Sequence, residues 1–373
     1  MATDDSYLLA KMEGAFQLRE GRGMTDRERQ FAIASAHGAA DECHATCDVS
    51  RMKSLLREQP SLIDTVGSLA LSMATTYHGT HDAVLFLLDR GVRTLYDCET
   101  GLAGKGNHEA VSGAFYCGNF RTLRTLFEAG VTDASFANMP WVSWPHKTTL
   151  LRMSIYRPLE YARFALEHGV DPDEELPFEE ESGRTALQNA VAPPMGGGCL
   201  PWHNPERWAQ GMRFAEFLLS EGAYYDVFSA CGRGDLDRLR TLTAEDPAVI
   251  ESRGAADLTP LHWAVRGQSP ECARWLLDRG ADVNAESLTG RPALHIAAEW
   301  GLDDMVWLLA GYGADLNPQD RKGRTPLHRA TYLGEVEAAE ALIVLGADTR
   351  VRTRGGKTAI ELTRLGCKYL RQG

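Results

Sequence analysis

Apolar positions along this chain recur on a fixed period instead of gathering in one continuous run. Leu261, Leu294, Leu327 and Ile360 stand 33 residues apart, and a period of that size marks stacked units, each covering its neighbour's apolar face. Around them lie Thr259-Pro260-Leu261-His262, Pro292-Ala293-Leu294-His295, Thr325-Pro326-Leu327-His328 and Thr358-Ala359-Ile360-Glu361. The threonine caps a helix, the proline occupies a first-turn position where no N–H is needed, and the leucine turns towards the neighbouring units. Gly280, Gly313 and Gly346 follow nineteen residues after the first three of these apolar residues. There a second helix ends and the backbone needs the left-handed conformation. Each period thus predicts a helix-turn-helix unit, and the fold class is all-α.

The glycine landmark also finds degenerate copies upstream. Gly222-Ala223 follows the apolar segment Phe214 to Leu219, Gly169-Val170-Asp171 follows Tyr161 to Leu166, Gly130-Val131 follows Leu123 to Phe127, and Gly91-Val92 follows Val84 to Leu88. A further copy, from Ala230 to Leu236 with Pro247 and Ile250, lacks a preceding hairpin, because only six residues separate Gly222 from Phe228. Residues 43–63 echo it, with Asp48-Val49, Leu55, Pro60 and Ile63.

In every one of these landmarks the C-terminal copies resemble the ankyrin repeat. The resemblance implies an ankyrin-repeat solenoid with elongated β-hairpin loops, built of nine helix pairs and a truncated last one over about residues 40–373. It also implies that His262, His295 and His328 tie their own turn to the adjacent unit and are structural. The expected organisation is a helical N-terminal cap over 1–39, degenerate repeats over 40–223 with an insertion at 193–211, regular repeats over 224–356, and a capping repeat over 357–373. In the N-terminal cap, Asp26 to Ala39 reads as a helix with Phe31, Ile33 and Ala34 available to cover the first apolar face.

Three departures from a plain array bear on function. The connection from the glycine to the next first-helix apolar residue is fourteen residues in the regular copies. It is twenty from Gly91 to Val111, twenty from Gly130 to Leu150 and eighteen from Gly169 to Leu187, so these hairpins should lean over the concave face. The segment Pro193 to Pro205 carries Trp202 and His203 on an irregular loop, and long loops of this kind are commonly functional. A stripe of first-helix positions faces the side on which the resembling family binds partners: Tyr77 and His78, Tyr116 and Cys117, Ile155 and Tyr156, Trp263 and Arg266, Glu299 and Trp300, Arg329 and Tyr332. These side chains either form a docking face rich in hot-spot residue types or pack between helices.

Net charge changes the picture of partners. With 39 Lys and Arg against 51 Asp and Glu, the chain carries −12, which argues against nucleic acid. No apolar segment is long enough to span a bilayer, and the acidic start Met1-Ala2-Thr3-Asp4-Asp5 is unlike a signal peptide. A cytoplasmic location is expected, and the excess of arginine over lysine hints at a bacterial source. The eight cysteines are scattered, and only Cys43 and Cys47 lie close together, which argues against a disulfide framework.

Candidate chemistry gathers in the N-terminal half. Trp141, Trp144 and His146 on one hairpin, Trp202 and His203 on the loop, and Tyr77, His78, Tyr116 and Tyr156 would frame an aromatic cleft for a small molecule, a sugar or a peptide. Asp171 to Glu181 packs seven carboxylates into eleven residues, either a solvated loop or a surface for a cationic partner. His78, His81, Asp82 and His108 form no complete ligand set, so neither metal nor cofactor is expected. No phosphate loop, dinucleotide fingerprint or nucleophile elbow is present. The leading expectation is a module that binds a partner protein through its groove and hairpins, without catalysis. The alternative is an acid/base hydrolase, lyase or isomerase with His146, His203 or His78 as proton carrier.

Overall fold

A computed structural model describes residues 13–14, 16–17, 20–36, 47–76, 81–96, 103–104, 120–131, 151, 159–173, 175, 184–191 and 205–362. The chain divides into two compact units, residues 1–150 with 163–170, and residues 151–162 with 171–373. Both are predominantly helical. Among the described residues one short antiparallel ladder occurs, β1 (Leu95–Tyr96) with β2 (Ala103–Gly104), pairing Leu95 with Gly104 and Tyr96 with Ala103. It lies in the long connection after Gly91.

The first unit contains α1 (Asp26–Ala36), α2 (Val49–Glu58), α3 (Leu62–Thr76), α4 (His81–Asp89) and α5 (Phe120–Glu128). In α1, Phe31 and Ala34 are buried while Ile33 is 37% exposed, so Ala32 rather than Ile33 completes its covered face. Its start is a capping box around a buried carboxylate. Glu28 takes two hydrogen bonds from Arg22, at 2.9 and 2.7 Å, and one from the Thr25 backbone N–H at 2.7 Å. The Arg22 guanidinium and these donors outweigh burial and bring the Glu28 pKa down to about 2. α3 packs between α1 and α4, with Leu62, Val66, Leu69 and Leu87 in the core. Phe120, Phe127, Phe164 and His168 form a ring cluster with centroids 4.1 to 5.6 Å apart.

The division between units falls inside α6 (Leu159–Glu167). The second unit continues with α7 (Ala186–Val191), α8 (Pro205–Ser220), α9 (Val227–Arg233), α10 (Leu236–Glu245), α11 (Pro260–Arg266), α12 (Pro270–Leu277), α13 (Ala293–Glu299), α14 (Asp303–Gly311), α15 (Pro326–Leu333) and α16 (Val336–Leu345). First helices α9, α11, α13 and α15 pack in series, as do second helices α10, α12, α14 and α16. Of the segment expected as an insertion over 193–211, residues 205–211 are described and are helical, because Pro205, a permitted first-turn residue, opens α8. The copy without a hairpin stacks directly: α9 lies against α7 and α11, and Gln188 donates to Asp226 at 2.6 Å. Only glycine fits the next crossing, where a Cβ on Gly267 would stand 2.3 Å from the Gly232 carbonyl oxygen.

One backbone feature unites the regular and degenerate copies. Gly91, Gly130, Gly169, Gly222, Gly280, Gly313 and Gly346 all have φ between 67° and 102°. In each case the residue after the glycine donates to a helix carbonyl five residues back, as in Val92 to Leu87, Val131 to Leu126 and Ala281 to Leu276. Regular copies are further laced together by hairpin-tip bonds, Leu288 N–H to Ala256, Arg321 to Thr289 and Arg354 to Lys322, at 2.9 to 3.2 Å. A second ladder runs from Asp315 N–H to Asn284 Oδ1 at 2.8 Å and from Asp348 N–H to Asn317 Oδ1 at 2.7 Å.

Candidate interaction face

The first-helix face of α11, α13 and α15 is set by the three histidines. His262 Nε2 is 2.9 Å from the Arg291 carbonyl oxygen, His295 Nε2 is 2.9 Å from that of Arg324, and His328 Nε2 is 3.1 Å from that of Lys357. In α11 and α15 the other ring nitrogen accepts from the capping threonine, whose hydroxyl lies 2.8 Å away and whose backbone N–H lies 3.2 Å away. Nε2–H donates and Nδ1 accepts, which is the neutral imidazole. Burial pushes the pKa of His262 and His295 down to about 4, against the raising effect of the carbonyl each ring contacts, and burial lowers that of His328. α13 begins with Pro292, which supplies neither hydroxyl nor N–H, and Nδ1 of His295 has no hydrogen-bond partner.

The expected docking stripe divides in two. Trp263 and Arg266 are fully buried, and Trp300 is 2% exposed, so these three belong to the interior and not to an open face. Their packing explains it. The Arg184 guanidinium lies 4.5 Å from the centre of the Trp263 ring, and Arg266 lies 5.6 Å from Trp263 and 6.0 Å from Trp300. Glu299 is largely covered and is shared by two arginines. Arg291 donates to it at 3.2 Å, and Arg329 binds it through Nε at 3.2 Å and through a second, shorter bond. Burial lowers the Arg291 pKa, and Glu299 opposes that shift. Among the described residues of the stripe in this unit, Tyr332 alone is exposed, at 42%.

Tyr77, His78, Tyr116, Trp141, Trp144, His146, Tyr156, Trp202 and His203 lie outside the described residues. Of the acidic run, Asp173 is held by a turn bond from its own N–H to Asp171 and accepts the Tyr224 N–H at 2.8 Å. His81 pairs with the Thr122 hydroxyl at 3.1 Å, and burial, the largest cause, lowers its pKa. Cys47, Cys231 and Cys272 are free thiols. Among the described residues no helix is long and apolar enough to cross a membrane.

Two surface features escaped sequence reasoning. Trp307 on α14 is 45% exposed, and Trp275 on α12 lies between Arg240, 5.0 Å from the ring centre, and Arg279, 3.0 Å from it. The signal for Trp275 was present as an aromatic four residues before an arginine at a second-helix end.

Comparison with known proteins agrees with the geometry. Residues 257–288 match the model of the ankyrin repeat, and residues 286–353 match that of ankyrin repeats in three copies. Protein PhlB of Serratia liquefaciens is 41% identical over 69 residues, which is 18% of this chain and 30% of that protein. Inversin of Mus musculus is 35% identical over 92 residues, 24% of this chain and 9% of inversin. A putative ankyrin repeat protein of Rickettsia bellii is 35% identical over 66 residues, 17% of this chain and 10% of that protein. The similarity spans under a third of each of these relatives.

Proposed function

Because residues 257–353 are ankyrin repeats, we propose that this chain recognises a partner protein through the groove beside its first helices and the elongated hairpins, without catalysis of its own. Ankyrin repeats are generally protein-interaction modules, and His262, His295 and His328 support a structural role because burial lowers their pKa and each ring is engaged with a backbone carbonyl. The observation that carries the proposal is the contrast along one stripe: the tryptophans are enclosed, while Tyr332 stands open one turn from Arg329 and its Glu299 partner. An amphipathic ring beside a partly accessible ion pair is the composition of an interface hot spot.

Photo-crosslinking tests this reading. A benzoylphenylalanine placed at Tyr332 should capture one defined protein from the source cell, whereas the same group at exposed Val344, on the second-helix side, should not. Equal capture from both positions, or none from Tyr332, would sink the reading.

A further inference from the structure

The two units build one corner twice. In the second unit α10 is capped by Asp235, whose carboxylate accepts the Arg238 N–H at 3.0 Å, and the chain leaves the helix with Asp246 N–H bound to the Leu242 carbonyl. In the first unit α2 is capped by Asp48, which accepts the Arg51 N–H at 2.8 Å, and Gln59 N–H binds the Leu55 carbonyl. The next second helix follows in each case, α12 or α4, packed against the capped one. Aligned by cap and by terminal glycine, Lys53 takes the place of Arg240, Phe86 that of Trp275, and Arg90 that of Arg279. Lys53 Nζ is 5.8 Å and the Arg90 guanidinium 3.7 Å from the centre of the Phe86 ring. Each unit therefore holds two cations against one aromatic ring beside a cleft between second helices.

The clefts differ in what lines them. In the second unit a space of about 370 Å³ is bordered by Arg240 and Arg274 together with Glu271 and Asp278. Carboxylates within the wall offset the arginines there. In the first unit a space of about 410 Å³ is bordered by Lys53, Arg57 and Arg90 over a floor of Leu56, Pro60 and Ile63. Among the described residues no carboxylate lines it. Asp89 reaches Arg90 only at 3.7 Å from a largely exposed position, and Glu58 is turned to Arg27 at 3.2 Å. Three cations converging on an apolar floor form a local positive site on a chain of net charge −12.

We propose that this cleft of the first unit, between α2 and α4, is a docking site for an acidic peptide segment of a partner protein in which carboxylates alternate with aliphatic side chains. The cations take the carboxylates, and Leu56, Pro60 and Ile63 take the aliphatic group. A small inorganic anion would leave that floor in water, and a polynucleotide would meet the negative field of the whole chain. The inference goes beyond the reading above, since it concerns another surface. Peptide docking here and crosslinking at Tyr332 succeed or fail independently.

The test is fluorescence anisotropy on the full chain with a short labelled peptide of interspersed glutamates and leucines. Binding should weaken with salt and fall about tenfold or more in Lys53→Glu/Arg57→Glu/Arg90→Glu. It should be unchanged in Arg240→Glu/Arg279→Glu, which alters the matching corner of the second unit. Peptides with glutamine for glutamate, or with serine for leucine, should bind more weakly. If the triple variant loses its fold by circular dichroism, exposed Arg57→Glu alone should still weaken binding severalfold. Absence of binding, equal binding to the wild type and to the triple or Arg57→Glu variant, an equal loss in Arg240→Glu/Arg279→Glu, or equal binding of the serine peptide or of a DNA oligonucleotide would overturn the proposal.

Discussion

The first and second units share a backbone plan and differ in where they place charge and aromatic surface. On the first helices of the second unit, large rings and guanidinium groups go inward: Trp263 and Arg266 are fully buried, Trp300 nearly so, and Glu299 binds two arginines. In the first, the cations near α2 and α4 stay on the surface around an apolar floor. The same cap, helix and glycine can thus frame either a cleft whose arginines are offset by carboxylates or one bordered by cations over an apolar floor. What decides is the residue set at a few positions and not the fold.

The largest way to break the contrast is Trp263→Ala. Removing a fully buried indole from between two arginines should cost about 4 kcal/mol, and hydrogen exchange should show the loss concentrated in residues 205–362 while 49–89 keep their protection. Glu299→Gln should cost about 3 kcal/mol, because two largely covered guanidinium groups lose their shared carboxylate; a smaller shift in urea unfolding would mean that the seam is wetter than described. Pro292→Thr should sharpen the regularity of the second unit by about 1 kcal/mol of added stability, read as a higher melting temperature, since it restores both the helix cap and the missing partner of His295 Nδ1. Arg240→Gln should have the smallest effect, about 0.5 kcal/mol by the same unfolding assay, because its ion pair with Asp237 and its ring contact are exposed.

Much of this was legible beforehand, and the reason is periodicity. The landmark glycines at 91, 130, 169 and 222 were found by spacing alone, and all four share the positive φ and the helix-ending bond of the regular copies. The histidine ties were implied by the resemblance of these copies to the ankyrin repeat. The fate of Trp263 did not follow, because its enclosure depends on Arg184, 79 positions earlier, and on the tight crossing of Gly232 and Gly267. Nor did the first-unit cleft, whose Lys53 and Arg90 stand 37 positions apart and come together only once α2 and α4 pack. The echo between 43–63 and 230–250 was visible, but its consequence needed the aligned caps.

The repeats are joined by neutral, buried histidines, and these ties hold the first-helix face proposed to meet a partner. An unfolded histidine titrates near 6.5, and His262 and His295 in the fold do so only at about 4. Between those values the unfolded chain binds more protons, so stability is complete above about pH 6.5 and declines as pH falls towards 4, by on the order of 3 kcal/mol for each ring. The direct measurement is an NMR titration of the imidazole carbons of His262, His295 and His328 from pH 8 to 5. His262 and His295 should stay neutral across that range while the protein remains folded, and His328 should titrate below the ordinary histidine value. Titration of these rings near pH 6.5 in the folded protein would contradict this.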